Sequence, residues 1–398
     1  MSMIIPVIHM TPKIRGMTVK NNRRIPLELY VHIPFCVRKC QYCDFLSGPS
    51  DEETKDRYIE ALLKEIRAAE HTEDYEIVSV FIGGGTPSAL KAEAIASIMR
   101  TLQEKFFFCE DAEVTIEANP GTVDPEKLTI YRNVGINRLS LGLQSTDAEE
   151  LKLLGRIHSY EEFLKSYEWA REAGFSNINI DLMFAIPGQT GEAWRQHLYQ
   201  VAELNPEHIS AYSLIIEEGT PFAEQNLDLP DEDTEYQMYE DTAEILERYG
   251  YRQYEISNYA KQGYMCRHNA GYWQRLEYLG FGLGASSLYG GMRFSNTHQM
   301  QEYLKESRNP DQIRKDVTVL SRNEQIEEFM FLGLRMTEGI SEKKFEENFN
   351  VRLMDIYGDI LQKYEETGFM EHIETKWRLT RKGIHVSNHI LADFLLDE

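Results

Sequence analysis

Cysteine is scarce: the 398-residue chain has five, three of them packed between positions 36 and 43 and two, Cys109 and Cys266, standing alone. So few and so uneven a set cannot build a disulfide framework; it points instead to a reducing compartment and a metal site. Long apolar runs are also missing. None approaches the roughly 20 residues that a bilayer-spanning helix needs, so an integral membrane protein is not expected. The mildly apolar opening Met1–Met10 has no basic region before it, which argues against a signal peptide. Residues 1–24 read as a loose tail, with Met17 an alternative start, and the expected location is cytoplasmic. Basic charge is short as well: 42 Lys and Arg against 65 Asp and Glu leave a net charge of −23. That field repels phosphate backbones and excludes nucleic acid as a general partner.

What the chain does have is periodicity. From Pro26 to about Glu217, strand-like apolar runs at 27–33, 77–82, 112–118, 136–144, 178–184 and 208–216 alternate with helix-like stretches at 51–70, 90–106, 124–134, 147–173 and 190–204. Another helix is read at 234–249. Asp124-Pro125-Glu126 is a helix start, with an acceptor at the cap and proline in the first turn. Six alternations predict an α/β fold with a parallel sheet, as a partial (β/α)6 barrel or a doubly wound open sheet, which periodicity does not separate. Glu117, Gln144 and Asp181 lie at or near the C-terminal ends of strand runs, where parallel α/β folds bind ligands. Residues 251–316 are aromatic, glycine-rich and aperiodic. From 317 to 398, helices at 322–336, 341–348 and 353–367 precede a hairpin-like stretch at 369–379, which predicts a small winged-helix-like domain beside the barrel domain of 25–250.

The chemistry concentrates in Cys36-Val-Arg-Lys-Cys40-Gln-Tyr-Cys43, a CX3CX2C triplet just after the first strand. Three thiolates on one short loop can hold three irons of a [4Fe–4S] cubane and leave the fourth iron open to an amine and a carboxylate. The alternative is a zinc site completed by His32. Zinc usually takes CX2C pairs with a second ligand group further along, and His32, inside the strand, is poorly placed to complete a tetrahedron. Gly83-Gly84-Gly85-Thr86-Pro87 follows the second strand. Alone it is most often a tight turn; beside the cysteines it becomes a cradle whose backbone can approach a ligand.

This spacing, with Tyr42 just before the third cysteine, resembles the radical SAM superfamily. Further segments are similar to the oxygen-independent coproporphyrinogen III oxidase family and its HemW-type haem chaperone branch. They are Tyr30-Val-His-Ile-Pro-Phe-Cys36, Phe81–Pro87, Ile116-Glu117-Ala-Asn-Pro120, Ser140-Leu-Gly-Leu-Gln144-Ser145, Leu154-Gly-Arg156-Ile-His158 and Asp181-Leu-Met-Phe-Ala-Ile-Pro-Gly188. The resemblance implies a radical SAM partial barrel, a [4Fe–4S] cluster on Cys36, Cys40 and Cys43, and S-adenosylmethionine bound by Tyr30, Tyr42, Gly84, Gly85, Thr86, Glu117, Gln144, Arg156 and Asp181. Taken singly, each of those polar residues is more often an ordinary strand-end group or surface ion pair.

Two details bear on the branch. The oxidase branch carries a further cysteine two residues after the triplet, where this chain has Phe45. His268-Asn269-Ala270-Gly271-Tyr272-Trp273 resembles the HNxxYW motif of the chaperone branch, in which His268 would offer an imidazole to haem iron, Asn269 would orient it, and Tyr272 and Trp273 would pack on the porphyrin. The competing reading is an aromatic corner with His268 as a satisfied interior histidine. Cys266 and Cys109 read as core thiols, and Lys376, Arg378, Arg381 and Lys382 as a solvated face or protein contact. The resemblance therefore implies a chaperone that passes haem to apo-haemoproteins, including membrane-associated respiratory proteins, with a possible cluster-dependent homodimer. The alternative is oxygen-independent coproporphyrinogen III decarboxylation in porphyrin biosynthesis; an iron–sulfur or zinc regulator fits the charge poorly.

Overall fold

The computed structural model describes residues 24–396. Apart from Arg24, the tail and alternative start read at 1–24 lie outside the described residues. Six strands stand side by side in chain order: β1 (Ile25–Ile33), β2 (Tyr75–Gly84), β3 (Phe108–Ala118), β4 (Arg138–Gln144), β5 (Ile178–Phe184) and β6 (His208–Ser213). Each pairs in parallel with the next. The connecting helices are α1 (Glu52–Ala68), α2 (Ala92–Lys105), α3 (Pro125–Asn133), α4 (Ala148–Leu153), α5 (Tyr160–Glu172) and α6 (Gly191–Glu203), and α7 (Glu232–Arg248) follows β6. The order never reverses, so there is no switch point of the doubly wound kind; this is the partial (β/α)6 barrel.

Alternation along the strands fixes what lies inside it. Leu139, Leu141 and Leu143 of β4, Ile178, Ile180 and Leu182 of β5, and Leu29, Val31 and Ile33 of β1 belong to one apolar core with helix residues such as Leu62, Ile98, Phe163 and Leu198. The opposite face of the same strands is polar: Glu28, Tyr30 and His32 of β1, Ser79 of β2, Glu113, Thr115 and Glu117 of β3, Arg138 and Ser140 of β4, Asn179 and Asp181 of β5, His208 and Ser210 of β6. Hydrogen bonds cross this concave face from strand to strand, as from Ser79 Oγ to Glu28 Oε1 at 2.9 Å and from Asn179 Nδ2 to Ser140 Oγ at 2.8 Å. A polar interior requires every group to find a partner, and it is built to receive something polar.

The start read at 124–126 is realised, with Asp124 Oδ1 accepting from the Lys127 amide at 2.8 Å. The single helix expected over 147–173 is two, α4 and α5, broken where Gly155 takes φ +78° and packs against Gln41. The aperiodic 251–316 region extends the sheet in both directions. β7 (Arg252–Gln253) pairs antiparallel with β8 (Asn258–Ala260), which itself pairs antiparallel with β6. After α8 (Arg267–Trp273), β9 (Tyr278–Phe281) pairs parallel with β1, and β10 (Ser286–Tyr289), β11 (Met292–Asn296) and β12 (Arg314–Val319) complete a twelve-stranded sheet. α9 (Met300–Glu306) and α10 (Pro310–Ile313) connect β11 to β12.

The C-terminal part has its own core, around Phe345, Tyr357, Leu361, Trp377 and Phe394. There α11 (Arg322–Gly333), β13 (Ile340–Ser341), α12 (Glu342–Phe349) and α13 (Leu353–Glu366) precede the hairpin β14 (Met370–Ile373) and β15 (Lys376–Leu379), in a three-stranded sheet ordered β13-β15-β14. The arrangement is winged-helix-like. Among the described residues no helix is long and apolar enough to cross a membrane.

Candidate functional site

The C-terminal edge of the barrel gathers the chemistry. One cavity of about 140 Å³ is lined by Cys36, Cys40 and Cys43 together with Tyr42, Gly84, Gly85, Thr86, Glu117, Gln144, Arg156 and Asp181. Tyr30 is not on its wall: its hydroxyl meets His32 Nδ1 at 3.0 Å on the same inner face of β1.

The cysteine loop is held at both ends. The Cys36 amide donates to the Gly48 carbonyl at 3.0 Å, and the Gln41 amide to the Leu154 carbonyl at 3.0 Å, at the α4–α5 break. His32 donates through Nε2 to the Leu46 carbonyl at 3.0 Å and accepts from Tyr30 at Nδ1, so both ring nitrogens are engaged in fixing the loop rather than offered to a metal. Among the described residues no three His, Cys, Asp or Glu side chains converge as ligands of a single ion do. A cubane asks for a wider spread, since each thiolate holds a different iron. The donor set therefore fits a cluster better than zinc.

The glycine turn fits a close ligand. A Cβ on Gly85 would lie 2.7 Å from the Phe35 carbonyl oxygen and 3.0 Å from Cys36 Sγ, and Gly84 sits at φ +108°, which side chains avoid. The Gly84 amide donates to Glu117 Oε2 at 3.0 Å. Burial, then the neighbouring Asp181, pushes the Glu117 carboxyl up to about 8. Asp181 is also raised, chiefly by burial, against hydrogen bonds from Asn179 and Ser140. Two half-buried carboxyls whose charged forms desolvation disfavours suit a cationic or polyhydroxyl ligand, which would favour their charge.

Arg156 binds the floor of this site together. Its Nη2 donates to Asn119 Oδ1 at 2.7 Å and to the Gly142 carbonyl, while Nη1 stands 3.6 Å from Cys40 Sγ. Asn119 Nδ2 in turn donates to Thr86 Oγ1 at 2.9 Å. Gly142 must be glycine there, since a Cβ would lie 2.7 Å from Asn119 Oδ1. Gln144 ends β4 at φ +74°, a sparsely populated backbone that recurs where a strand must aim a side chain into a site. The sequence reading did not single out Asn119 or Ser140. Both continue the inward alternation of their strands, through 113, 115, 117 and 119 on one and 138, 140 and 142 on the next, and that pattern could have found them.

The HNxxYW residues lie elsewhere. α8 closes the opposite, N-terminal end of the barrel, and His268 is about 1% exposed. Its Nδ1 meets Ser79 Oγ at 2.8 Å and its Nε2 the Tyr272 hydroxyl at 2.8 Å, while the ring stacks on Phe81. Glu113 accepts from the Arg267 and His268 amides at the helix start. Desolvation pushes the imidazole down to about 3, so it is neutral. In this conformation neither nitrogen is open to an iron. Trp273 is half-buried, packed against the cluster of Tyr254, Ala270 and Met336, with the Arg335 guanidinium 4.3 Å from its ring centre.

The partial barrel with a three-cysteine loop, glycine turn and inward carboxyls defines a radical SAM-type chain. Residues 30–199 match the profile of the Radical SAM superfamily and residues 320–386 that of the HemN C-terminal domain. The chain belongs to the HemW family: it is 37% identical over 377 residues to the heme chaperone HemW of Lactococcus lactis, spanning 94% of this chain and 98% of that one. It is 37% identical over 372 residues to its namesake in Bacillus subtilis, spanning 92% and 98%. Among solved structures, the coproporphyrinogen III oxidase HemN of Escherichia coli, described as a radical SAM enzyme, superposes with a TM-score of 0.82 at 27% identity, over 94% of this chain and 90% of that one.

Proposed function

We propose that this protein is a radical SAM-type haem chaperone, located in the cytoplasm, that binds haem and passes it to apo-haemoproteins. What carries the reading is the full-length kinship with proteins named heme chaperones, on a chain whose cysteine loop, glycine turn, Glu117, Asn119, Gln144, Arg156 and Asp181 share one cavity. Cys36, Cys40 and Cys43 would hold a [4Fe–4S] cluster. Gly84, Gly85 and Thr86 would offer backbone and hydroxyl groups to the methionine end of S-adenosylmethionine, Glu117 and Asp181 would take its amine or ribose hydroxyls, and Arg156 would take its carboxylate. Tyr30 and Tyr42 would pack around this site. Bound there, the pair supplies one-electron chemistry at a sulfonium.

Haem recipients among membrane-associated respiratory proteins and a cluster-dependent homodimer belong to the same reading. So does contact of haem with His268, Asn269, Tyr272 and Trp273, which requires a state in which α8 has left the barrel floor. The oxidase reading is favoured by the likeness to HemN, but at the position of the oxidase branch's extra cysteine this chain presents Phe45, 61% exposed at the cavity mouth. The test is hemin loading followed by transfer to an apo-haemoprotein, run beside an anaerobic assay with coproporphyrinogen III, S-adenosylmethionine and reductant. Transfer with no protoporphyrinogen is expected; turnover without haem transfer would overturn the chaperone reading.

A further inference from the structure

Among the described residues lining the cysteine cavity, Gln144 alone is a non-glycine with a positive φ, +74°. Such a backbone is strained and persists only where its surroundings over-determine it. A β-bulge falls at the same point: Gly142 is in register with Asp181 and Gln144 with Leu182, which leaves Leu143 as the extra residue. Bulges beside a site re-aim a side chain. What holds this end of β4 lies behind the cavity wall.

Each of the three residues after Gln144 is tied down by its side chain. Ser145, buried, donates from Oγ to Glu150 Oε2 at 2.6 Å and accepts from the Asp147 amide at 3.0 Å. Thr146 Oγ1 hydrogen-bonds His197 Nδ1 at 2.5 Å. Asp147 caps α4 by accepting from the Glu149 and Glu150 amides. The anchors come from three places in the fold: Glu150 from α4, His197 from α6, and Gln189 from the turn between β5 and α6. Gln189 Nε2 donates to Glu150 Oε2 at 3.0 Å. His197 is buried, its Nε2 3.0 Å from the same Glu150 oxygen and its ring edge-on to Trp194. Thr146, His197 and Glu150 also have the order of a nucleophile, a base and an orienting carboxylate. No described cavity opens onto any of the three, so a substrate has no room at Thr146. What the cluster does reach is the backbone of Gln144, two residues from Thr146 and next to Ser145.

We propose that His197 and Thr146 are positioning residues for S-adenosylmethionine: braced against Glu150, they lock the left-handed end of β4 and keep the Gln144 amide aimed into the cavity. The inference rests on the S-adenosylmethionine reading of that cavity and adds to it residues that never touch the ligand. The experiment is calorimetry of S-adenosylmethionine binding to the reconstituted full chain, with iron content and melting temperature measured beside it. The chains compared are wild type, Gln144→Ala, Thr146→Val, His197→Ala and His197→Asn, with Thr146→Val and His197→Ala also placed in the Gln144→Ala background. Thr146→Val keeps the side-chain shape at a half-buried position, so it reports even if His197→Ala loses stability. Gln144→Ala is expected to bind about tenfold more weakly, and Thr146→Val and His197→Ala about fivefold, with iron content unchanged. In the Gln144→Ala background the two substitutions should cost nothing more, because the group they aim is gone. His197→Asn, whose amide can take the place of Nδ1 opposite Thr146, should recover most of the affinity. Wild-type affinity in both Thr146→Val and His197→Ala, or an equal loss with and without Gln144, overturns the positioning role and leaves the S-adenosylmethionine reading intact. A wild-type chain that does not bind S-adenosylmethionine, or a Gln144→Ala chain that binds as wild type does, overturns the inference together with the part of the reading it rests on.

Discussion

At the scale of single residues, the account turns on groups that burial has made unusual. Glu117 takes up its proton near pH 8 in the folded chain instead of near the ordinary carboxylate value of about 4.5. Between those values the folded state holds a proton that the unfolded chain has released, so stability falls as pH rises through the window, by at most about 1.4 kcal/mol per pH unit. Glu117→Gln, which cannot titrate, should flatten that slope: melting of the cofactor-free protein from pH 5 to pH 9 should show the variant gaining on wild type from pH 5 to about pH 8 and no further above it, and parallel curves would contradict the assignment. Arg156→Ala leaves the Gly142 carbonyl and Asn119 without their donor, at a cost of about 1–3 kcal/mol in denaturant unfolding. It should also weaken S-adenosylmethionine binding at least tenfold by calorimetry. Gly85→Ala places a methyl against Cys36 Sγ and the Phe35 carbonyl; reconstituted iron content should fall sharply while circular dichroism stays unchanged.

Elements show what the sequence disclosed and what it hid. The six strands were legible because their outward faces are unbroken aliphatic series, and the edge bearing Glu117 and Gln144 followed from that. The inward face was less legible. Its polar residues look unremarkable one at a time, and their partners, Asn179 to Ser140 or Ser79 to Glu28, sit on other strands. The break between α4 and α5 escaped notice because the apolar period continues across it; only the left-handed turn at Gly155 interrupts it and swings Arg156 toward Cys40. α8 was hardest, since a seven-residue helix wedged into a barrel floor has no periodicity of its own. There Gly271 abuts the Glu28 carboxylate so closely that any Cβ would collide. Gly271→Ala should therefore destabilise the fold more than His268→Ala, itself expected to cost about 2–4 kcal/mol through the lost stacking on Phe81 and the orphaned Tyr272 hydroxyl. Urea unfolding ranks the two, and the reverse order would show that α8 is not anchored as described.

For the molecule as a whole, the barrel and the winged-helix-like part are tied through α8 and the sheet extension. Glu328 on α11 receives Arg275 and Arg293 from the barrel side, and Arg335 covers Trp273. Glu328→Gln weakens both ion pairs at once and should raise proteolysis between β12 and α11 without altering iron loading. The net charge of −23 is spread over a surface whose cluster loop nonetheless carries the exposed cations Arg38 and Lys39, so the site's mouth differs in sign from the molecule. All of this depends on three thiols sharing one cubane. Iron and acid-labile sulfide analysis after anaerobic reconstitution, with electron paramagnetic resonance of the reduced protein before and after adding S-adenosylmethionine, tests that most directly. The account predicts about four irons per chain, a signal that changes on addition, and loss of both in Cys36→Ala. A chain that takes up zinc instead, or keeps its iron signal without Cys36, would contradict it.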